Sequence, residues 1–511
     1  MARVELINFS LKYYGHKKET LSNINLSFDT DEKILLLSPS GYGKSSLLLC
    51  LLGIIQRNNL GETSGKITID GRNIEEMSPI EIAKIFGIVF QDSESQFCTM
   101  YPEDEIAFSL ENFCTPSKQI GEKIEKVLKQ VKIEDKKREM LLNLSGGEQQ
   151  KVAIGSSLAV ESKMLLLDEP TANLDTLGRC EINELIATLD TGYLLVEHNF
   201  EEWLDTITRA IIIDKNGTIR VDSNGEDFLN KNREILIELG LSKKVEGNEI
   251  STYNDNLFLN KTDKLLEVKN LNFSYAEKEI LNDISFDVNA GEIIALLGKN
   301  GAGKTTLSKI LGGMESKFSG EITYRGKNIK KISKEKLYSE LTYVFQNPEH
   351  QFIKDSVRDE IELFKEIHGE EISLDAILEK YNLEGVKNEN PFTISGGQKR
   401  RLSVAIMLSK KHKVLILDEP TFGLDYFNTR ELMVQIKELA KKGMGIIMIT
   451  HNLNIVKEYA TKALVLKEGK NSYFGPIKDL FENRNFLEEA KIIRKDTKLC
   501  DSRKVKACSK R

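Results

Sequence analysis

A strand, a glycine-rich loop and a helix carrying G-K-[ST] can fold in few ways, and this chain contains that unit twice. The first copy reads SPSGYGKSS over Ser38–Ser46, and the second reads GKNGAGKTT over Gly298–Thr306. Each is followed by further segments in one shared order. In the first half these are VFQD (Val89–Asp92), LSGGEQQ (Leu144–Gln150), LLLDEP (Leu165–Pro170), ANLD (Ala172–Asp175) and EHN (Glu197–Asn199). In the second they are VFQN (Val344–Asn347), ISGGQKR (Ile394–Arg400), LILDEP (Leu415–Pro420), FGLD (Phe422–Asp425) and THN (Thr450–Asn452). An ordered series of this kind, duplicated, implies two copies of one nucleotide-hydrolysing domain in tandem.

The 511 residues leave each copy enough chain for its own core. A net charge of −6 disfavours a dedicated nucleic-acid binder, and no nucleic-acid partner is expected. The longest apolar stretch, around Leu47–Ile55, is far shorter than the about 20 residues of a membrane span. The opening MARVELINF lacks the basic-then-apolar layout of a signal peptide. These features predict a cytoplasmic protein, and any work at a membrane would need partner subunits that span it. The cysteines (Cys50, Cys98, Cys114, Cys180, Cys500, Cys508) show no C-x-x-C pair and read as reduced thiols.

The first domain is expected over 1–230 and the second over 264–493, each α/β. RVELINF, LSNINLSF and KILLL read as strands leading into the first glycine loop, and LLEVKNLNF, ILNDISF and EIIALLG mirror them. The same number of residues separates Ser145 from Asp168 and Ser395 from Asp418, which leaves room for one helix and one strand. Residues 231–263 are polar and read as a linker holding one short helix in ILIELGL. Residues 494–511 form a Lys/Arg-dense tail, read as a solvated segment or as a weak contact for anionic lipid.

The chemistry follows from residue type and place. In the second copy Gly298, Gly301 and Gly303 permit a tight backbone whose N–H groups face phosphate, with Lys304 reaching the β/γ-phosphates. Thr305 offers a hydroxyl to Mg²⁺, and Thr306 follows it. The first copy departs from the pattern. Ser38 replaces the first glycine, while Gly41, Gly43, Lys44, Ser45 and Ser46 remain. A serine is tolerated there if its φ stays negative. Asp168 and Asp418 end apolar strands and are candidates to hold Mg²⁺. Glu169 and Glu419 come next and are candidates to polarise the attacking water. Gln91 and Gln346 follow apolar strands and are placed to reach Mg²⁺ or water. His198 and His451 do likewise and are candidates to donate to the γ-phosphate. Ser145-Gly146-Gly147 and Ser395-Gly396-Gly397 are second phosphate-binding helix starts. Glu148 completes a capping box with Ser145, its favoured role, and Gln398 holds the matching place. ATP and Mg²⁺ are the cofactors these residues call for.

These motifs resemble those of the ATP-binding-cassette ATPases over nearly the whole chain. The resemblance implies two tandem domains, each a P-loop core with an antiparallel β subdomain and a helical subdomain carrying the signature Ser-Gly-Gly turn. It implies that the two domains pair head-to-tail within the chain. Lys44, Ser45, Gln91, Asp168, Glu169 and His198 would then face Ser395–Gln398, and Lys304, Thr305, Gln346, Asp418, Glu419 and His451 would face Ser145–Glu148. Tyr13 and Tyr275 match the family's adenine-stacking aromatics, or are plain strand residues. Within the family, FQNPEHQF (Phe345–Phe352) before VRDEIEL and FQDSESQF (Phe90–Phe97) before PEDEIAFSLEN resemble ATPases of energy-coupling-factor importers. That implies an ATP-hydrolysing, transport-coupled subunit, peripheral at the inner face of the cell membrane. Its partners would be a membrane coupling subunit and a separate membrane substrate binder for a vitamin or transition metal. The alternatives are a fused sugar-importer ATPase and a soluble tandem translation factor. Phe97 and Phe352 end the glutamine loops, where they would meet a partner helix if exposed and would be ordinary core if buried.

Overall fold

Short apolar runs bounded by turn residues become buried strands, and they do so at matching places in both halves. The computed structural model describes residues 1–242 apart from 17, 40, 173, 199, 226 and 227, and residues 263–493 apart from 277, 369–372, 408–411, 422, 423, 425 and 491. The rest of the polar linker and the basic tail lie outside the described residues. The chain divides into two compact units, the break falling at residue 244.

The first unit contains β1 (Arg3–Tyr13), β2 (Leu21–Asp29), β3 (Lys33–Leu37), β4 (Gly61–Ile69), β5 (Arg72–Asn73), β6 (Phe86–Val89), β7 (Met164–Asp168), β8 (Gly192–Val196), β9 (Arg209–Ile213) and β10 (Ile219–Asn224). The second contains β11 (Lys264–Tyr275), β12 (Lys278–Asn289), β13 (Ile293–Leu297), β14 (Ser319–Tyr324), β15 (Lys327–Asn328), β16 (Leu341–Val344), β17 (Val414–Asp418), β18 (Gly445–Ile449), β19 (Lys462–Lys467) and β20 (Lys470–Pro476). One sheet of the first unit runs β2-β1-β4-β5 and the other β10-β9-β3-β8-β7-β6. The second unit repeats both orders, as β12-β11-β14-β15 and as β20-β19-β13-β18-β17-β16. The duplication seen in the motifs is therefore also a duplication of topology.

In each larger sheet the pairs are parallel except at the hairpin edge, β9 with β10 and β19 with β20. Parallel strands covered on both faces need apolar residues at every position. KILLL, MLLLD and GYLLV supply them. Leu35, Leu37, Leu165, Leu167, Tyr193 and Leu195 face one core, and Ile34, Leu36, Met164, Leu166, Leu194 and Val196 face the other. The second core is shared with the antiparallel sheet, through Val4, Leu6, Phe9 and Phe28. The first is covered by helices, among them Pro102–Asn112, Ser117–Gln130 and Gly146–Ala159.

Strict alternation along β1 stops at Asn8. Val4 and Leu6 point inward, and so do Phe9 and Leu11, so one extra residue resets the phase. Asn8 absorbs it as a bulge at φ 46°, between the registered pairs of Leu6 and Phe9. Asn270 does the same on β11 at φ 47°.

The helix anticipated in ILIELGL spans Phe228–Glu238 and starts before the expected linker. Phe228, Leu236, Leu239 and Leu241 join the first core, so the first unit packs beyond residue 230. Apolar side chains at helical spacing explain this, although the segment is polar overall.

Candidate functional site

Strand order brings together residues far apart in sequence. β3, β8, β7 and β6 lie side by side and parallel, so whatever follows each strand collects along one edge of the sheet. The glycine loop follows β3, His198 follows β8, Asp168 and Glu169 close β7, and Gln91 follows β6. The second unit gathers Lys304, His451, Asp418, Glu419 and Gln346 by the same order.

Both loops run into helices, Lys44–Leu51 and Lys304–Leu311, with Gly43 at φ 89° and Gly303 at φ 97° in the capping position. Neither helix has a side-chain cap at its start. Their first N–H groups therefore suit an anion. The buried lysines fold back on the loops. Lys44 Nζ donates to Ser38 O at 2.7 Å and Pro39 O at 3.3 Å, and Lys304 Nζ to Gly298 O at 2.7 Å and Lys299 O at 3.0 Å. The loops differ at their first residue. Gly298 has φ 146°, while Ser38 is not among the residues of positive φ. Ser38 is buried, and its hydroxyl donates to Pro39 O at 3.1 Å.

Glu169 and Glu419 stand at φ 47° and 46°, in the left-handed region that non-glycine residues rarely adopt. Such strain persists only where neighbours hold it, and it clusters at working sites. Here the next strand holds it, with Glu169 N donating to Val196 O at 2.9 Å and Glu419 N to Ile449 O at 3.0 Å.

The side chains of the two glutamates are not equivalent. Gln91 Nε2 donates to Glu169 Oε2 at 3.1 Å, and His198 Nε2 lies 2.9 Å from Glu169 Oε1. Burial pushes Glu169 up, but His198 and Lys44 outweigh it and hold the carboxyl below its usual range. Glu419 Oε1 is buried and meets no donor in hydrogen-bond geometry, although His451 Nε2 is 3.3 Å away. Burial dominates there and pushes Glu419 up, against the opposing pull of Lys304. Burial also raises the aspartates. Asp168 reaches about 6 against the Ser45 hydrogen bond, and Asp418 rises against the Tyr343 hydrogen bond.

The signature turns hold themselves. Ser145 accepts from Glu148 N at 3.4 Å, and Glu148 Oε2 accepts from Ser145 N at 2.8 Å, the reciprocal capping pair. Lys136 Nζ takes the other oxygen of Glu148 at 2.8 Å. Ser395 and Gln398 repeat the pair, with Ser395 N donating to Gln398 Oε1 at 2.9 Å. Gly146-Gly147 and Gly396-Gly397 open the two helices. Ser145→Ala is expected to cost about 1 kcal/mol of stability, read as a lowered denaturant midpoint. An unchanged midpoint would remove the capping role. Of the tyrosines, Tyr13 puts its hydroxyl on Ser46 Oγ at 3.0 Å, while Tyr275 is 46% exposed and stacks edge-on against Phe273.

Three residues around these sites were given no role by the motif reading, although two of them, Arg400 and Glu197, lie inside its motifs. Arg400 is buried, and burial pulls its guanidinium down to about 10. It donates to Phe345 O and Gln346 O, both at 2.7 Å, and to Glu419 O at 2.9 Å. One side chain thus joins the signature helix, the glutamine loop and the backbone of the strained glutamate. The first copy has Gln150 there, with its Nε2 buried and unpaired. Tyr343, where the first copy has Ile88, donates to Asp418 Oδ2 at 2.8 Å. Glu197, where the second copy has Thr450, is buried and accepts from Thr171 Oγ1 at 2.6 Å and His198 N at 3.2 Å. Aligning the two copies and asking where the side chains differ in charge or polarity would have found all three.

The family model described as ABC transporter matches residues 21–172 and again 281–422. YkoD of Bacillus subtilis (strain 168), whose name describes an HMP/thiamine import ATP-binding protein, is 35% identical over 96% of this chain and 94% of its own length. A Clostridium perfringens protein named as an ABC transporter ATP-binding protein is 34% identical over 98% of this chain and 95% of its own. Among solved structures, cbiO1 from Clostridium perfringens, titled as part of the ABC transporter complex cbiONQ, is 32% identical, covers 45% of this chain and 95% of its own, and has a TM-score of 0.39.

Proposed function

The chain belongs to the ABC transporter family and is an ATP hydrolase of that family, and from that premise we propose that it is the energy-coupling subunit of an energy-coupling-factor importer for a vitamin or a transition metal. The observation that carries this is the likeness, over almost the full length of both chains, to a relative named for thiamine import. The stretch after each glutamine supports it. Both halves keep lysine, aspartate, glutamate and histidine at the edge of the sheet, which favours an importer with two working sites over a fused sugar importer with one degenerate site.

Lys44 and Lys304, with the helix starts behind them, bind the phosphates of ATP. Asp168 Oδ1 is buried without a partner, close to Ser45, and an all-oxygen set of this kind suits a hard divalent cation. Ser45, Gln91 and Asp168 in the first unit, and Thr305, Gln346 and Asp418 in the second, would hold Mg²⁺, which supplies charge neutralisation at the β/γ-phosphates. Glu169 and Glu419 orient the attacking water and draw its proton, while His198 and His451 donate to the γ-phosphate.

No helix among the described residues is long and apolar enough to cross a membrane, so transport requires membrane-spanning partners. Phe352 is buried and stacks edge-on against Phe392 at 5.9 Å, and Phe97 packs on its own core, so neither is a free aromatic contact. Their neighbours take that place. Leu142 and Phe392 occupy matching positions, three residues before each signature serine, and are 68% and 47% exposed, and Ile353, the residue after Phe352, is 76% exposed. Leu141 N donates to Met100 O at 2.9 Å, which ties Leu142 to the exposed Met100 after the first glutamine loop. Exposed apolar side chains beside loops that move with nucleotide suit an apolar partner helix.

The test is replacement of Leu142 and Phe392 together by lysine in the full chain. Recovery with membranes is expected to fall severalfold while nucleotide binding holds, and the thermal midpoint falls only by the loss of the Phe352–Phe392 stack. Sedimentation of the parent protein with ribosomes at physiological salt, without membrane association, would overturn the importer reading in favour of a translation factor.

A further inference from the structure

The two sites differ in what stands behind the aspartate. In the second unit Tyr343 lies on β16, paired in register with Ile416 of β17, two residues before the end of that strand at Asp418. Its ring is locked by packing, edge-on to Phe345 at 4.8 Å. Its hydroxyl lies 2.8 Å from Asp418 Oδ2 and 3.1 Å from Ser308 Oγ. Ser308 in turn lies on the helix that begins at Lys304, with its Oγ 2.9 Å from the carbonyl of Thr305. All three side chains are buried. A phenol has one proton, and a carboxylate only accepts, so that proton goes to Asp418. Ser308 then donates to the phenol oxygen or to Thr305 O. The result is a chain of polar contacts from the glycine-loop helix to the aspartate.

In the first unit the glycine-loop helix reaches the aspartate through Ser45, with no strand residue between them. Ile88 stands in the place of Tyr343 and Leu48 in the place of Ser308, both apolar. Asp168 keeps one buried oxygen without a partner. The terminal torsion of an aspartate is broad. Asp168 takes its hydrogen bond from Ser45, itself a candidate metal ligand, whereas Asp418 is held by a buried phenol that stands behind it.

We infer that Tyr343 is a positioning residue of the second nucleotide site, setting the Asp418 carboxylate through the Ser308–Tyr343–Asp418 contacts before nucleotide and metal arrive, and that the first site lacks this device. The inference rests on Asp418 holding the divalent ion of bound ATP. It makes the sites unequal in metal demand although both keep the lysine, glutamine, aspartate, glutamate and histidine of the motifs. Second-layer partners tune affinity by orienting the ligands that touch the ion.

The experiment uses the full chain with the first site disabled by Lys44→Ala, a non-hydrolysable ATP analogue, and Mn²⁺ followed by electron paramagnetic resonance. Tyr343→Phe removes the hydroxyl and keeps the ring. It is expected to weaken Mn²⁺ binding by about tenfold, the lower end for loss of an outer-layer partner. Affinity for the analogue without metal, and the thermal midpoint, should hold. Ser308→Ala leaves the ring and its packing untouched and should give a smaller loss in the same direction, which keeps the inference testable if Tyr343→Phe folds poorly. Unchanged Mn²⁺ affinity in both variants, with metal-dependent binding intact in the parent, would overturn this inference alone. Absence of any Mn²⁺-dependent binding in the parent would instead overturn the ion-holding role of Asp418 on which it rests.

Discussion

Glu419→Gln is expected to leave ATP bound and to slow its hydrolysis at the second site by about 10²–10⁴-fold, the range for loss of a general base. Glutamine preserves shape and the strained backbone, which is held by Ile449 O and by Arg400 rather than by the carboxylate. The lysine and the helix start proposed to grip the phosphates are untouched. What is lost is the carboxylate charge that would draw a proton from the attacking water. Phosphate release should be measured in the assembled complex with Lys44→Ala, alongside equilibrium binding of ATP. Unchanged turnover would remove Glu419 as the base. Loss of binding together with turnover would make it a structural residue instead.

Gly298→Ser, which installs the residue of the first loop in the second, is expected to be severe, while Ser38→Gly is expected to be mild. At Gly298 the backbone has φ 146°, and an added Cβ would lie 2.4 Å from Leu466 O on β19. Backbone strain alone costs about 1–3 kcal/mol, and the clash with a buried strand adds to it. If about 3 kcal/mol falls on the loop, ATP affinity at the second site drops by about a hundredfold or more, since 1.4 kcal/mol is tenfold. Ser38 has no positive φ to relieve, and the reverse change carries only the about 0.5–1 kcal/mol entropic cost of a new glycine. Nucleotide titration of the two variants, each with the opposite site disabled, compares them directly. Equal effects would mean that the two loops share one conformation.

Reading the motifs placed the loop lysines, the Asp-Glu pairs, the glutamines and the histidines because each sits in a short contiguous pattern with a local reason. A glycine loop must precede its helix, and a carboxylate must end its strand. The buried strands were legible because a sheet covered on both faces needs unbroken apolar runs, as in KILLL and MLLLD. The bulge at Asn8 was less visible, since one extra residue breaks an alternation that otherwise looks simple. The fate of Phe352 was not legible at all. An aromatic at the end of a loop has the same letter whether its ring faces solvent or, as here, the core beside Phe392.

The sequence by itself determined that there are two domains of one kind and which side chains are candidates for the phosphate and carboxylate chemistry. Those are properties of spacing along the chain. The tertiary structure decided what stands behind those side chains. The bond from Tyr343 to Asp418 joins residues 75 apart, and that from Arg400 to Phe345 joins residues 55 apart. Such contacts exist only after parallel strands are laid side by side in a particular order. No local rule marks a tyrosine in a strand as a donor or an arginine in a helix as a backbone clamp. Yet these buried partners make the Glu169 and Glu419 sites unlike each other, because in a low-dielectric interior each hydrogen bond made or missing decides how a carboxylate is held.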